Sequence, residues 1–251
     1  MVLEKFKIFI VNLKQDNERR KHIISELTKK KLDNYEIIDA INGNEFNEKE
    51  IKKNTFRNKK NLNPWNTKMS PSQIGCALSH IKIYREFIKT DYDYALILED
   101  DAIFVKNFNK KLINFILNSF KYKKQIILLS EIKEFYNKPI NKIEKFELVD
   151  VTNAFFTHAY FINKGAAKSI ISFNYPVKTI ADNFVFFKIY CGIKITGINP
   201  FIVDQDKKNH PTTILTERDK FKKTFLFRRT LYKYKMKIKK IFVKFKSHIK
   251  K

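Results

Sequence analysis

Short apolar runs closed off by charged residues alternate along most of this chain with stretches whose apolar positions step by three and four. The first pattern predicts buried strands and the second amphipathic helices. Strands are expected over Phe6–Leu13, Tyr35–Ala40, Tyr94–Leu98, Gln125–Leu129, Asn153–Ile162 and Ile193–Ile198. A helix is expected from Asp16, a suitable N-cap, to about Lys31, with Ile23, Ile24 and Leu27 as its apolar stripe and Arg19, Arg20 and Lys21 as its basic side. Ser70-Pro-Ser-Gln73 predicts the start of another: Ser70 caps, Pro71 fits the first turn and Gln73 completes a capping box. Its core face is Ile74, Ala77, Leu78, Ile81, Tyr84 and Ile88, with His80 and Phe87 on the flank. Further helices are expected near 109–120, from Asn163 or Lys164, and from Asp182 to about Tyr190. The strand–helix–strand opening predicts an α/β fold on a parallel sheet. Residues 44–69 read as a helix fragment and then a loop that ends near Pro64-Trp65, a lid if it borders a site. Residues 203–219 read as loop.

One strand stands out by the residues at its carboxyl end. Tyr94-Ala-Leu-Ile-Leu98 runs into three consecutive acids, Glu99, Asp100 and Asp101. In open α/β sheets ligands gather outside the carboxyl ends of the strands. Three acids there repel one another unless a cation neutralises them. Carboxylates alone suit a hard divalent ion such as Mn²⁺ or Mg²⁺, which also holds phosphates. The competing reading is that the acids cap the next helix or sit in water.

Charge adds a second region. The formal net charge is +25, and residues 220–251 hold 14 Lys or Arg and no acid. Within them Phe227, Leu231, Tyr234, Ile238, Ile241, Phe245 and Ile249 step by three and four, which predicts a basic amphipathic helix. Such a helix can lie on an anionic membrane surface or pack on its own domain. It can also track nucleic acid, but the regular apolar stripe argues against that. The division expected is a catalytic domain over 1–219 and a membrane-surface tail over 220–251. Five glycines are too few for a glycine-rich phosphate loop, and Cys76 and Cys191 make a poor disulfide framework. The start of the sequence lacks signal-peptide character, and no apolar run approaches the roughly 20 residues of a transmembrane helix. A cytoplasmic protein, peripheral on the inner face of the cell membrane, is therefore expected.

Three segments resemble glycosyltransferase family 25, the bacterial lipooligosaccharide biosynthesis glycosyltransferases. They are Phe9-Ile-Val-Asn-Leu-Lys14 with Glu18-Arg-Arg20, Ile38-Asp-Ala40 and Gly43; Ser70 to His80 running on to Ala95-Leu-Ile-Leu-Glu-Asp-Asp101; and Thr157-His-Ala-Tyr160 with Lys164-Gly-Ala-Ala167 and Pro176 to Asp182. The resemblance spans about residues 6–205 and excludes the tail. It implies a GT-A-like, Rossmann-type sheet with flanking helices, a UDP-sugar donor (often UDP-galactose), Mn²⁺ or Mg²⁺, and a lipid-linked oligosaccharide acceptor.

On that resemblance Asp101 is the metal ligand, shared with Asp100, while Glu99 or Asp100 meets the ribose. Asn12, Leu13 and Ala40 line the base and ribose, and His80 belongs to the donor site. Arg20 pairs with a phosphate or a neighbouring acid. An inverting transfer needs a base for the acceptor hydroxyl, and Asp182 fills that place. Trp65, His158 and Tyr160 are the acceptor contacts, and His210 a late metal ligand. His22 and His248 read as surface residues. Two other readings stay open: a metal-dependent phosphohydrolase, which would need a second carboxylate set, and a basic membrane- or nucleic-acid-binding adaptor without catalysis.

Overall fold

In the computed structural model, residues 5–56, 69–105 and 108–206 are described. The first half of the chain forms β1 (Phe6–Asn12), α1 (Asn17–Lys29), β2 (Tyr35–Asp39), α2 (Glu48–Asn54), α3 (Pro71–Lys89), β3 (Tyr94–Glu99), β4 (Ala102–Phe104) and α4 (Lys110–Asn118). The second half forms β5 (Gln125–Leu128), β6 (Ile132–Phe135), β7 (Asn141–Ile143), β8 (Phe146–Ala154), β9 (Ala159–Asn163), α5 (Lys164–Asn174), α6 (Phe184–Tyr190), β10 (Lys194–Asn199) and β11 (Val203–Gln205).

The main sheet has the order β2-β1-β3-β9-β5-β10-β8-β6, with β7 also paired to β8. Strand β1 pairs in parallel with β2 and β3, and β5 with β10. Strand β9 enters antiparallel between β3 and β5. Strands β2, β1, β3, β5 and β10, with the short β6 and β7 beyond β8, thus share one direction, while β9 and β8 oppose them. The fold is α/β as expected, but the sheet is mixed where the opening pattern predicted a parallel one. That pattern is local to residues 6–39 and carries no information about how β9 returns.

Period-two alternation gives the central strands two buried faces. Ile8, Ile10, Leu96 and Leu98 point to one core with Ile23 and Leu27 of α1 and Ile113 and Ile116 of α4. Phe9, Ala95 and Ile97 point to the other, with Tyr84 and Phe87 of α3, Ala167 of α5 and Phe187 of α6. Helix α3 begins as expected: Ser70 Oγ accepts from the Gln73 N–H, and Gln73 Oε1 from the Ser70 N–H. Two glycines bring its first turn against the chain after β2. A Cβ on Gly75 would lie 2.5 Å from both Gly43 N and Ile41 O, and one on Gly43 would lie 1.8 Å from Pro71 O. Only hydrogen fits at either place.

Several boundaries differ from the sequence reading. The run Asn153–Ile162 is the end of β8 and the whole of β9 up to Ile162, broken where Phe156 adopts φ 77°. Residues 132–154, where little but the last two was expected as strand, form an antiparallel hairpin whose first arm is split into β6 and β7, both paired with β8. Val203–Gln205, read as loop, pairs with β4 as a second small sheet. Phe87 is fully buried on α3, whereas Ile88 is half-buried.

Candidate active site

The end of β3 divides its acids between two sides. Following the alternation of Ala95 and Ile97, Glu99 turns toward α3; following Leu96 and Leu98, Asp100 turns toward α1. Asp101 comes next and leads into β4.

On the α1 side Asp100 is held at both oxygens. Asn12 Nδ2, at the end of β1, donates to Oδ2 at 2.8 Å, and Arg19 Nη1 donates to Oδ1 at 2.8 Å. Arg19 Nη1 also stands 3.9 Å from Asp101 Oδ2. Strand β11 closes the far side: Gln205 Nε2 donates to Asp101 Oδ2 at 3.3 Å, and the Asp206 N–H to the Asp101 carbonyl at 2.8 Å. Asp101 is only 4% exposed, and its Oδ1 has no hydrogen-bond donor. Burial, then the charge of Glu99, pushes the Asp101 carboxyl up to about 7; Arg19 and Gln205 pull it back only partly. Burial also raises Asp100, against Asn12 and Arg19. Arg19 moves up: burial opposes its charge, but the two acids outweigh that cost. This set fits a hard divalent cation. Asp101 offers a buried, undonated carboxylate oxygen, whereas Asp100 already has its charge met by Arg19.

On the α3 side Glu99 Oε1 accepts from Thr157 Oγ1 and stands 3.5 Å from His80 Nε2. The other nitrogen of that ring, Nδ1, is 2.8 Å from Tyr160 OH, which is 2.6 Å from Tyr84 OH. Burial alone would raise Glu99, but His80 and Thr157 reverse this and hold it below the usual carboxylate range. Burial drives both tyrosines upward, so their hydroxyls stay protonated and link α3 to β9 as a neutral relay.

The structure gathers Asn12, Glu99, Asp100 and Asp101 at one sheet edge. Half-buried Leu13 and Ala40 lie on the same edge, the Ala40 N–H donating to the Asn12 carbonyl at 2.8 Å. It is Arg19, not Arg20, that reaches the acids. Arg19 shares the helix face of Ile23 and Glu26, both buried, so the apolar phase of α1 could have singled it out. Asp16 stands at the start of α1 but makes no side-chain cap; it lies 4.0 Å from Arg19 Nε. His22 is not a plain surface residue, since its Nε2 lies 3.2 Å from the Ala102 carbonyl.

The acceptor and donor roles drawn for three rings need correction. Tyr160 is 0% exposed and His80 1%, so neither presents a face to a sugar, and His158 is buried with Nε2 3.3 Å from the Val203 carbonyl. Aromatic type on a strand favours core packing unless the strand faces water. Asp182 is half-buried in the turn before α6, where Asn183 and not Asp182 takes the N-cap position. Its Oδ2 accepts from the Phe156 N–H at 3.4 Å. Trp65, His210, His248 and the tail lie outside the described residues. Thr157 was marked in the sequence only as part of a matched segment, Tyr84 only as a core-face residue and Gln205 only as loop; the contact that gives each its place here is distant in sequence.

The sequence profile of Glycosyltransferase family 25 (LPS biosynthesis protein) matches residues 5–185. Procollagen galactosyltransferase 2 of Homo sapiens is 23% identical over 173 residues, covering 67% of this chain and 28% of that protein. A Haemophilus influenzae protein, named only provisionally as a glycosyltransferase, is 27% identical over 209 residues, covering 81% of this chain and 71% of its own. This chain thus spans less than a third of the human relative. A solved glycosyltransferase involved in glycosylation of the major capsid of PBCV-1 superposes with a TM-score of 0.44 at 12% identity, over 87% of this chain and 99% of that one; at that distance it bears no weight. The profile match covers well over half of the sequence and includes the acids, the α3 motif and Asp182, and on it the chain belongs to glycosyltransferase family 25.

Proposed function

We propose that this glycosyltransferase moves galactose from UDP-galactose to a hydroxyl of a lipid-linked oligosaccharide, with inversion, at the carboxyl edge of β1 and β3. The observation that carries the reading is Asp101 Oδ1, a buried acid oxygen with no donor, beside an Asp100 already paired with Arg19 and Asn12. A divalent cation, Mn²⁺ or Mg²⁺, held by Asp101 would offset the charge that builds on the departing diphosphate. Asn12 and Arg19 fix Asp100, which keeps the backbone of the acid turn in one position. The end of β1 and Ala40 line the nucleoside. Asp182 takes the proton of the attacking hydroxyl, and its tie to the Phe156 amide sets the direction of its carboxylate. Glu99, engaged by Thr157 and facing His80, is not assigned to the donor.

The relatives named as procollagen galactosyltransferases support galactose, and the family's description as LPS biosynthesis proteins supports the lipid-linked acceptor. The basic tail, in this reading, holds the enzyme on the anionic inner face of the membrane. Among the described residues no helix is long and apolar enough to cross one. The test is slow hydrolysis of a panel of UDP-sugars with and without Mn²⁺. UDP-galactose turnover that needs the ion is the expected result, and cleavage of no UDP-sugar under any ion would refute it. Deleting residues 220–251 should release the protein from anionic vesicles while hydrolysis persists.

A further inference from the structure

The α3 side of the acid turn contains a second constellation that donor chemistry does not use. Cys76 and His80 lie four residues apart on α3, hence on one face and one turn apart. Both face Glu99, and Cys76 Sγ, a His80 ring nitrogen and a Glu99 carboxylate oxygen all lie within 4.8 Å of one another. His80 Nε2 is fully buried, has no hydrogen-bond partner and stands 3.5 Å from Glu99 Oε1. Two electron-rich atoms that close, the nitrogen fully buried and the carboxylate half-buried, need a proton or a metal cation between them. A proton on Nε2 would serve for His80 and Glu99 alone. The thiol on the same side of the ring is the third donor that a proton does not explain.

The supporting shell fits a metal ligand. Nδ1 lies 2.8 Å from Tyr160 OH, and in the tautomer whose Nδ1–H donates there, Nε2 offers its lone pair to the cluster. Tyr160 is in turn fixed by Tyr84 at 2.6 Å, and Glu99 by Thr157. Metal-binding histidines are oriented through their other nitrogen in this manner. The 3.5 Å between Nε2 and Oε1 is already close to the roughly 3.3–3.8 Å that tetrahedral ligands at zinc bond lengths imply. A thiolate, an imidazole and one carboxylate select a borderline-soft ion over Mg²⁺ or Ca²⁺. Three protein ligands would leave a fourth position for water or a substrate atom.

We propose that Cys76, His80 and Glu99 form a site for a Zn²⁺-class ion, separate from the hard-cation site at Asp101, that fastens the first half of α3 to the end of β3. The proposal does not depend on the nature of the donor or acceptor. The test uses the full chain, stripped of metal and reduced, and titrated with Co²⁺ alone. One equivalent should bind with a thiolate-to-cobalt charge-transfer band and be displaced by Zn²⁺. The band should vanish in Cys76→Ser, a half-buried position whose variant should keep the wild-type circular dichroism. It should persist in Asp101→Asn. Tyr160→Phe should weaken binding about tenfold while keeping the band, as outer-shell changes do. A folded wild type that gives no charge-transfer band with Co²⁺, or an unchanged band in Cys76→Ser, would overturn the site. Neither outcome decides the UDP-sugar assay, which reads turnover at the donor site around Asp101.

Discussion

Glu99 and Asp100 are neighbours in sequence, yet their burial is compensated by opposite means. On the α1 side a carboxylate is buried by matching it with a full positive charge, Arg19, and with Asn12. On the α3 side a carboxylate is held by a hydroxyl and faces an imidazole, backed by two neutral tyrosines. Asp101 sits past both and receives the remainder: some of Arg19, one long bond from Gln205, and an oxygen with nothing. An acidic triplet, then, is not one site. The strand's alternation sends successive side chains to different helices, and only the residue beyond the strand is left short of partners.

The largest expected effect isolates that residue. Asp101→Asn should cut metal-dependent turnover roughly 10³-fold, measured as initial rates of UDP release, with the fold intact in circular dichroism. A fall of less than tenfold would move the hard-cation site elsewhere. Next, Arg19→Met strands a buried Asp100 and should cost about 3 kcal/mol in urea unfolding. Arg20→Met should cost much less, and equal losses would erase the distinction drawn between the two arginines.

The α3 side yields to a steric change. Gly75→Ala forces a methyl into the backbone of residues 41–43 and should destabilise by about 2 kcal/mol in urea unfolding. Thr157→Val, which removes the donor to Glu99, should cost about 1 kcal/mol, and a neutral result would mean His80 suffices.

The final separation is by pH, because the two sides titrate in opposite senses. Asp101 and Asp100 are raised on folding. Their stabilising contribution is fully present below the ordinary Asp value of 3.8, and for Asp101 it is lost as pH rises through about 7. Glu99 is lowered, so its contribution is present above 4.5 and lost as pH falls below that. Metal-free protein should therefore lose stability between about pH 4 and 7, and Asp101→Asn should flatten that slope. Mn²⁺ affinity should rise over the same window, since the ion competes with the Asp101 proton.

Much of this was legible in the sequence wherever the signal was local. The strands around Phe9, Ile97 and Ile195 come from runs of apolar residues, and the start of α3 from a four-residue capping pattern. The acids at the end of β3 were marked by one strand and one rule about where ligands gather. What stayed hidden was everything set by a distant partner. The split hairpin over 132–154 is built partly of short, exposed strands with an irregular register, so no period marks it. Gln205 matters because β11 pairs with β4, and Tyr160 became buried because β9 lies between two other strands. Ring type and proximity to a motif cannot report on either.

The reversed direction of β9 has a consequence for how this enzyme can vary. Strands running with β3 deliver their following loops to the ligand edge, but an opposed strand delivers the segment that comes before it. Residues 155–158 thus arrive at the acids as an approach to β9, bringing Thr157 to Glu99 and two phenylalanines, each 40% exposed, to the mouth. Phe155 carries no bond of the β3–β9 ladder, which begins with the Glu99 N–H on the His158 carbonyl, so the start of that segment is a place where this fold can change an exposed aromatic and leave the ladder intact.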